Sequence, residues 1–361
     1  MNSYRKYKVI KRVKEADLVV SLYLAPVDDM PLSVFIPGQH LMFRVHIPGH
    51  EIPVFRYYSF SDSFNPEYYR ISVKKEFPAV NDGTLPEGLV SSYLFDRLKE
   101  GDMLEAKGPM GDFCVNPADS KPVALIAGGI GITPLLSMIK SIAILNPGKK
   151  VYFFYGVNGR SDHSFQGELQ QLKTTNDNLR VTTFYARVGF RDIQGLHYNY
   201  EGFIDIKAIR QVIGEVHPDY YICGPGRMMN YITEELEKAG VNKNTINLES
   251  FTSTNEQGLD KEIDEPMLSK ERQKIQKKIS IEFFRSGKKV QWDNRYRSIL
   301  EFAEENNIEI NSGCLFGDCG TCLTEIKEGQ VRYMHQTLVK VEQGKCLPCS
   351  CIPVSDLILN A

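Results

Sequence analysis

The fold of the middle of the chain is decided by one stretch, Val123-Ala-Leu-Ile-Ala-Gly-Gly-Ile-Gly-Ile-Thr-Pro134. Five apolar residues without alternation indicate a strand that is buried on both faces, as in parallel sheets. The glycines that follow allow the backbone to approach a pyrophosphate, and Pro134 suits the first turn of a helix. A glycine-rich turn also occurs as plain structure. The position of this one between a buried strand and a helix favours a nucleotide-binding loop.

The alternation of strands and helices continues after this stretch. We predict further strands at Val151–Tyr155, Val181–Tyr185 and Tyr220–Cys223. The predicted helices are Pro134–Leu145, Phe165–Leu172 and a segment from about Met228 to Ala239. This order predicts an α/β, doubly wound parallel sheet over residues 116–254.

The first part of the chain, residues 1–115, has a different pattern. Short runs that alternate or are wholly apolar occur at Val19–Leu24, Leu41–Ile47 and Tyr69–Val73, with Pro/Gly turns between them. A single segment, Leu89–Leu98, has apolar residues at helical spacing. The pattern predicts an antiparallel β-barrel interrupted by one helix.

The last part of the chain holds six of the eight cysteines, and three of them lie in Ser312-Gly-Cys-Leu-Phe-Gly-Asp-Cys-Gly-Thr-Cys322. Their C-x4-C-x2-C spacing is typical of a plant-type [2Fe–2S] loop, which needs a fourth cysteine further along. The glycines permit the tight and left-handed turns of such a loop. The candidates for the fourth ligand are Cys346, Cys349 and Cys351. A zinc site built from two C-x-x-C pairs is the alternative, but it leaves Cys314 and the glycines without a role.

A polar segment separates the cysteine-rich part from the rest. Residues 255–278 are rich in charged and amide side chains and have no regular period, which indicates an exposed linker. A strand at Ile279–Phe284 then opens the last unit. The sequence therefore predicts three domains and a linker, with bounds 1–115, 116–254, 255–278 and 279–361.

Composition excludes several classes of protein. Of 361 residues, 42% are hydrophobic and 24% are charged, as in ordinary globular proteins rather than disordered or fibrous ones. Lys and Arg number 43 against 45 Asp and Glu, so no basic excess indicates a nucleic-acid partner. Residues 1–20 lack the apolar core of a signal peptide, and the longest apolar stretch is too short to span a bilayer. These observations predict no membrane association and a cytoplasmic location, where thiols stay reduced.

One strand of the predicted barrel carries Arg56-Tyr-Tyr-Ser59. An Arg fork can hold a pyrophosphate, a Tyr ring can cover the face of a flavin, and the Ser59 hydroxyl can reach flavin N5. The helix that begins at Gly88-Leu-Val-Ser91 offers free N–H groups to phosphate oxygens. Alone, the R-x-Y-S pattern fits an ordinary Tyr-rich strand equally well.

Together these motifs resemble one family. The chain is similar to the flavohaemoglobin-type and oxygenase-type branch of the ferredoxin–NADP reductase superfamily, with a plant-type ferredoxin (an α+β, β-grasp domain) at its C-terminal end. The segments Gly108–Phe113, Cys223-Gly-Pro225 and Glu249-Ser-Phe251 contribute to the resemblance, and the first of them resembles FAD-binding members. The resemblance implies hydride transfer from NAD(P)H to FAD, followed by single-electron steps through the [2Fe–2S] cluster.

The resemblance also implies functional residues. Around the hydride path it places Ser59, Cys223 and Glu249, although Cys223 also suits a plain core position at the end of a buried strand. The cofactor-binding residues that it implies are His40, Arg56, Tyr57, Tyr58, Ser59, Val73, Lys74, Gly88, Leu89, Val90, Ser91, Gly129, Ile130, Gly131, Thr133, Pro134, Arg160, Cys223, Gly224, Pro225, Met228 and Phe251. The segment that starts at Cys349 resembles the plant-ferredoxin segment with the last ligand, which favours Cys349 over Cys351 and Cys346. The implied cluster ligands are then Cys314, Cys319, Cys322 and Cys349.

The nicotinamide nucleotide and the electron acceptor stay open. After the second predicted strand, Arg160 and Ser161 favour NADPH, whereas Asp162 and the flavohaemoglobin-like loop favour NADH. The resemblance implies a downstream redox partner, namely an oxygenase, a hydroxylase or a haem monooxygenase, and we expect a monomer. The alternatives are a stand-alone reductase of small acceptors and a redox-sensing protein that turns nothing over.

Overall fold

The computed structural model describes residues 4–49, 53–76, 88–251, 279–296, 298–311, 320, 322–334 and 341–361. The chain divides into two compact units, residues 1–251 and residues 252–361. The first unit contains two six-stranded sheets, and the second contains a five-stranded sheet and a two-stranded sheet. The predicted linker, residues 255–278, lies outside the described residues.

The first sheet is antiparallel and has the strand order β4-β3-β6-β1-β2-β5. Its strands are β1 (Arg5–Ala16), β2 (Val19–Pro26), β3 (His40–Val45), β4 (Val54–Ser59), β5 (Tyr69–Lys74) and β6 (Met103–Met110). A bridge between Phe60 and Ile71 joins the end of β4 to β5 and closes the sheet into a barrel. Helix α1 (Leu89–Asp96) packs Val90 and Leu94 against the barrel core. The predicted antiparallel barrel with one helix is confirmed, and the helix ends two residues earlier than expected.

The second sheet is parallel and has the order β10-β9-β8-β7-β11-β12. Its strands are β7 (Val123–Gly128), β8 (Val151–Val157), β9 (Leu179–Tyr185), β10 (Tyr200–Glu201), β11 (Asp219–Cys223) and β12 (Ile246–Glu249). Its helices are α2 (Ile132–Leu145), α3 (Gln166–Thr175), α4 (Ile206–Ile213) and α5 (Gly226–Lys238). The doubly wound sheet is confirmed. The strand order reverses between β7 and β11, so the carboxyl ends of these two strands define the crevice where such sheets bind ligands.

Three elements of this sheet were not predicted: β10, β12 and α4. The two strands have two and four residues, which is too short for a period to show. Helix α4 does carry a signal, because the side chain of Asp205 caps it by accepting a hydrogen bond from the Ala208 N–H at 2.8 Å. An N-cap aspartate before an amphipathic run was therefore the available signal.

The second unit has the sheet order β14-β13-β19-β15-β17, with β16 and β18 paired separately. Its strands are β13 (Ser280–Phe283), β14 (Lys288–Gln291), β15 (Thr324–Glu328), β16 (Val331–Tyr333), β17 (Lys345–Cys346), β18 (Cys351–Pro353) and β19 (Leu357–Leu359). Strand β13 is antiparallel to β14 and parallel to β19, and helix α6 (Ile299–Glu305) packs into the same core. This mixed sheet with a packed helix confirms the predicted α+β, β-grasp-type domain.

Candidate functional site

Strands β3 and β4 bring His40 and the Arg56–Ser59 motif together. In the ladder between these strands, His40 lies opposite Ser59, and both residues are buried. The ring of His40 contacts the ring of Tyr57 edge-on, with 4.7 Å between the centroids. A Cβ atom on Gly111 would lie 2.8 Å from His40 Cε1, and the φ of Gly111 is +107°. Glycine at position 111 therefore leaves the space in which the His40 ring is held.

The hydrogen bonding of the His40 imidazole indicates whether a cofactor fits beside the Arg56–Ser59 strand. Its Nε2 atom is buried and makes no hydrogen bond within the described part of the chain. Burial lowers the pKa of His40 to about 4, so the ring is neutral at neutral pH. A buried polar atom without a partner is costly, and native structures usually satisfy it. A polar edge group of a bound flavin would satisfy Nε2, so the residues present fit the cofactor.

The motif strand presents two faces because successive side chains alternate. Arg56 and Tyr58 point to one side, and Tyr57 and Ser59 point to the other. The ring of Tyr58 packs edge-on against Phe43 at 5.7 Å, and burial raises the pKa of its phenol. The Arg56 guanidinium is half-buried and donates to the Phe55 carbonyl at 2.7 Å. The strand thus offers an aromatic face and a cation side by side, as a flavin and its phosphate require.

The start of α1 is fixed by Gly88 and Ser91. Gly88 has a φ of +81°, and a Cβ atom there would lie 2.1 Å from the Glu76 carbonyl oxygen. The Ser91 hydroxyl donates to the Gly88 carbonyl at 3.1 Å and accepts from the Glu76 N–H at 3.2 Å. The Ser91 side chain therefore ties the helix to the end of β5. Among the described residues, no side chain caps the first turn, whose N–H groups can therefore bind an anion.

Two of the remaining predicted cofactor-binding residues, Val73 and Lys74, lie on β5 near this turn. Val73 is fully buried in the barrel core, and Lys74 is half-exposed with its ammonium 3.5 Å from Glu76. Phe251, in the other domain of the same unit, packs on the core of the parallel sheet.

The loops after β7 and β11 touch each other directly. A Cβ atom on Gly131 would lie 2.2 Å from the Cys223 carbonyl oxygen, and one on Gly224 would lie 2.9 Å from Gly128 Cα. A Cβ atom on Gly128 would lie 2.6 Å from Pro225 Cδ. The glycines therefore serve the packing of one loop on the other, which sequence reasoning did not foresee.

The start of α2 completes this crevice. A 3-10 turn over Gly129–Gly131 leads into the helix, and the buried Thr133 hydroxyl donates to the Ile130 carbonyl at 3.1 Å. Pro134 is buried in the first helical turn, and Met228 on α5 packs behind Gly128 and Gly224. The crevice at the strand-order reversal thus ends in a helix N-terminus, which suits a pyrophosphate.

Cys223 and Glu249 lie side by side at the end of the sheet. They are paired in the ladder between β11 and β12, and the Cys223 side chain is fully buried. Burial, with the charge of Glu249, raises the pKa of the Cys223 thiol well above its usual value. Burial, Asp112 and Glu249 together raise the pKa of Cys114 to about 11. Both thiols are therefore protonated, and Glu249 lies close to the segment that leaves the barrel.

The loop after β8 holds the candidate specificity residue. Arg160 is exposed in a 3-10 turn, Arg160–Asp162. The Asp17 N–H, in the turn between β1 and β2, donates to the Ser161 carbonyl at 3.2 Å. At the end of the loop, the buried His163 Nδ1 lies 2.8 Å from the Tyr185 hydroxyl. The loop is held at both ends while the Arg160 guanidinium faces solvent.

In the second unit, Cys322 and Cys349 lie together. Their Sγ atoms are 3.1 Å apart, and both side chains are buried. A metal–sulfur bond is about 2.3 Å, so one metal atom between them is within reach of both sulfurs. Leu347 is held next to this pair by its N–H, which donates to the Tyr333 hydroxyl at 3.1 Å. The donor chemistry and the spacing of this pair fit an iron–sulfur cluster.

Two further cysteines of this unit lie in the same core. Cys346 and Cys351 are fully buried on β17 and β18 and share the apolar core with Cys322 and Cys349. Cys314 and Cys319 lie outside the described residues. Within the part of the chain that is described, no three His, Cys, Asp or Glu side chains converge as a metal-binding group.

Three family models match the chain in succession. Residues 18–114 match the oxidoreductase FAD-binding domain, residues 125–234 match the oxidoreductase NAD-binding domain, and residues 283–354 match the 2Fe-2S iron-sulfur cluster binding domain. Each match falls on the sheet that the fold assigns to it.

Individual proteins give the same result. A flavohemoprotein of Bacillus anthracis is 36% identical over 248 residues, which cover 69% of this chain and 61% of that protein. The chain thus spans about three fifths of the length of this relative. The flavohem-like FAD/NAD-binding domain of nitric oxide dioxygenase from Vibrio cholerae is 30% identical with a TM-score of 0.59, covering 68% of this chain and 98% of that domain. Phthalate dioxygenase reductase shares the fold over 100% of this chain and 98% of its own, with 23% identity and a TM-score of 0.66.

The sheets, the glycine loops and the matched domains define a flavoprotein oxidoreductase with an attached iron–sulfur domain. The chain belongs to the ferredoxin–NADP reductase-like family, with its three domains in the order found in phthalate dioxygenase reductase. Its cofactors are FAD, a nicotinamide nucleotide and a [2Fe–2S] cluster. Among the described helices, none has the length and apolar character needed to cross a membrane.

Proposed function

We propose that the protein is an electron-transfer reductase that passes electrons from NAD(P)H through FAD and the [2Fe–2S] cluster to a separate redox enzyme. The observation that carries the proposal is the presence, in one chain, of a flavin-binding barrel, a nucleotide crevice and a cluster-binding domain. When bound, a flavin accepts two electrons as a hydride and releases them one at a time, which is what a one-electron cluster requires.

The barrel residues position the flavin. Tyr58 would contact the ring system, and the neutral His40 would offer its buried Nε2 to a polar group of the flavin. Arg56 and the first turn of α1 would bind the phosphates. Ser59, held opposite His40, would offer its hydroxyl to the flavin.

The crevice residues position the nucleotide. The N–H groups at the start of α2 bind the pyrophosphate, and the contact between the loops of Gly131 and Cys223 sets how deeply the nicotinamide enters. The protonated Cys223 would form a small, uncharged wall beside the nicotinamide and exclude water. Glu249, next to Cys223 in the ladder, would orient the nicotinamide through a hydrogen bond.

In the cluster domain, we assign Cys314, Cys319, Cys322 and Cys349 as ligands. The 3.1 Å contact between the Cys322 and Cys349 sulfurs supports Cys349 as the fourth ligand. We assign structural roles to Cys346 and Cys351, which are fully buried on β17 and β18.

An oxygenase or another separate redox enzyme is the proposed acceptor. The structural similarity to a reductase described as a module for electron transfer from pyridine nucleotides to [2Fe–2S] supports it. The test is oxidation of NADH or NADPH by the purified protein, first alone and then with cytochrome c, free flavins or ferric chelates. Slow turnover with free flavins and chelates, but rapid cytochrome reduction that depends on the cluster, is the expected result. Rapid reduction of free flavins or chelates would favour a stand-alone reductase, and no nucleotide oxidation at all would favour a sensor.

Substitution of Arg160 tests whether the protein uses NADH or NADPH. We propose NADH as the better donor, and we expect Arg160→Ala to change kcat/KM for NADH by less than about threefold, because an exposed side chain that contacts no phosphate contributes little. If Arg160 does contact the 2′-phosphate of NADPH, kcat/KM for NADPH falls roughly 10-fold to 100-fold in the variant. The measurement is kcat/KM for both nucleotides in both proteins. A strong NADPH preference in the wild type that collapses in Arg160→Ala would contradict the proposal.

A further inference from the structure

A buried cluster of charged groups lies between the barrel and the parallel sheet of the first unit. It contains Arg70 on β5, Asp62 after β4, Lys140 on α2 and Glu168 on α3. Arg70 Nη1 lies 3.0 Å from Glu168 Oε2, and Arg70 Nε lies 3.5 Å from Asp62 Oδ2. The Lys140 ammonium pairs with both carboxylates. Each cation therefore binds one acid from the barrel and one from the nucleotide domain.

The cluster is enclosed. The Arg70 side chain is only 3% exposed, and its guanidinium lies 5.4 Å above the ring of Phe165. Its Nη2 donates to the Ser61 carbonyl. Burial raises the pKa of Glu168, but the charges of Arg70 and Lys140 lower it by more. The pKa of Glu168 is therefore below its usual value. Two cations thus pair with two carboxylates, as burial demands. The carboxyl group of Glu15, on β1, lies near enough to interact with Arg70, Glu168 and Lys140, and burial raises its pKa.

The position of the cluster connects the two binding regions. Lys140 lies seven residues after Thr133 on α2, about two helical turns from the glycine loop. Arg70 precedes Val73 on β5 by three residues, at the side of the barrel that leads to α1. A shift of one domain against the other would separate these pairs and leave buried charges unpaired, which is costly. The cluster therefore links the helix that begins at the nucleotide to the strand that ends at the flavin.

We propose that this cluster is a positioning device: Arg70, Asp62, Lys140 and Glu168 set α2 against the barrel so that the nicotinamide reaches the flavin at the distance needed for hydride transfer. The proposal rests on the function proposed above. It assigns these four side chains no contact with either cofactor. Because a displacement of about 1 Å at the reacting atoms can cost roughly 100-fold in rate, a small rotation at this interface is enough to matter.

The test compares Glu168→Gln, which breaks the cluster across the interface, with Glu105→Gln. Glu105 pairs with Arg44 at 2.9 Å within the barrel alone, and the two carboxylates are equally exposed, at 24%. The readouts are the rate of flavin reduction at saturating NADH in stopped flow, the FAD content and the melting temperature. Glu168→Gln is expected to slow flavin reduction roughly 10-fold to 100-fold with FAD content unchanged. Glu105→Gln is expected to stay within about twofold of the wild type, since its ion pair with Arg44 joins two strands of the barrel and does not cross the interface between the domains.

A second variant of Glu168 distinguishes a role in positioning the domains from a role in stability alone. Glu168→Asp keeps the charge and is expected to recover most of the rate. A lower melting temperature in Glu168→Gln with an unchanged rate of flavin reduction would overturn the positioning role, since it would show a purely structural contact. If NADH fails to reduce the flavin of the wild type at all, the proposed function falls, and this inference falls with it.

Discussion

Replacing Cys349 by serine is expected to remove the visible absorbance of the [2Fe–2S] cluster and all cluster-dependent electron transfer. The reason is the 3.1 Å contact between the Cys349 and Cys322 sulfurs, which places both within reach of one metal atom. A serine hydroxyl is a poorer ligand than a thiolate for iron in such a cluster. Visible absorbance and iron content of the purified variant measure the effect. The flavin and its reduction by NADH are expected to remain, because they belong to the other unit.

Two neighbouring cysteines provide matched controls. Cys351→Ser and Cys346→Ser are expected to keep most of the cluster absorbance, since the sulfur that lies 3.1 Å from Cys322 is that of Cys349. Both variants are expected to lose folding stability instead. Each substitution buries a new hydroxyl group, which costs about 1–3 kcal/mol where the group has no hydrogen-bond partner. If Cys351→Ser loses the cluster and Cys349→Ser retains it, the ligand assignment is wrong.

Substituting Gly131 by alanine is expected to have the second large effect. The backbone of Gly131 is in the ordinary right-handed region, so alanine is conformationally acceptable there. The new methyl group, however, would lie 2.2 Å from the Cys223 carbonyl oxygen, and the two loops must separate. Because both loops shape the nicotinamide end of the crevice, the rate of flavin reduction by NADH is expected to fall roughly 100-fold with FAD retained. Stopped-flow reduction and FAD content measure the two effects.

Gly226 is the control for this substitution. It is the first residue of α5, three residues after Cys223, and a Cβ atom there meets nothing within 4 Å. Gly226→Ala is expected to leave the rate unchanged and to stabilise the fold by up to about 1 kcal/mol through the unfolded chain. Equal loss of activity in both alanine variants would show that the loop contact is not the cause.

The fold was largely predictable because long apolar runs and glycine turns mark its strands. In the five residues Val123–Ala127, apolar and polar side chains do not alternate, which correctly indicated a central parallel strand. All five are buried, as expected for a strand covered on both faces of the sheet. Helix α3 begins one residue later than predicted, because Phe165 has a φ of +59° and packs its ring into the core rather than starting the helix. Two-residue strands such as Tyr200–Glu201 depend on pairing with a neighbour, and no local pattern encodes that.

The site was predictable only as separate motifs. The R-x-Y-S strand and the glycine loop each indicate a ligand chemistry, but the contact between Gly131 and Cys223 joins residues more than 90 positions apart. The same holds for Arg70 and Glu168, which are ordinary charged residues until the two domains meet. Spacing also left three candidates for the fourth cluster ligand, and the sulfur–sulfur distance now supports one of them.

The most direct test of the whole account is the order in which the two cofactors are reduced. The oxidised protein is mixed anaerobically with NADH in a stopped-flow spectrophotometer, and the flavin and cluster bands are followed separately in the wild type and in Cys349→Ser. The account predicts that the flavin band bleaches first and the cluster band follows, and that only the flavin phase survives in the variant. Reduction of the cluster without prior flavin reduction, or a flavin that NADH does not reduce, would contradict it.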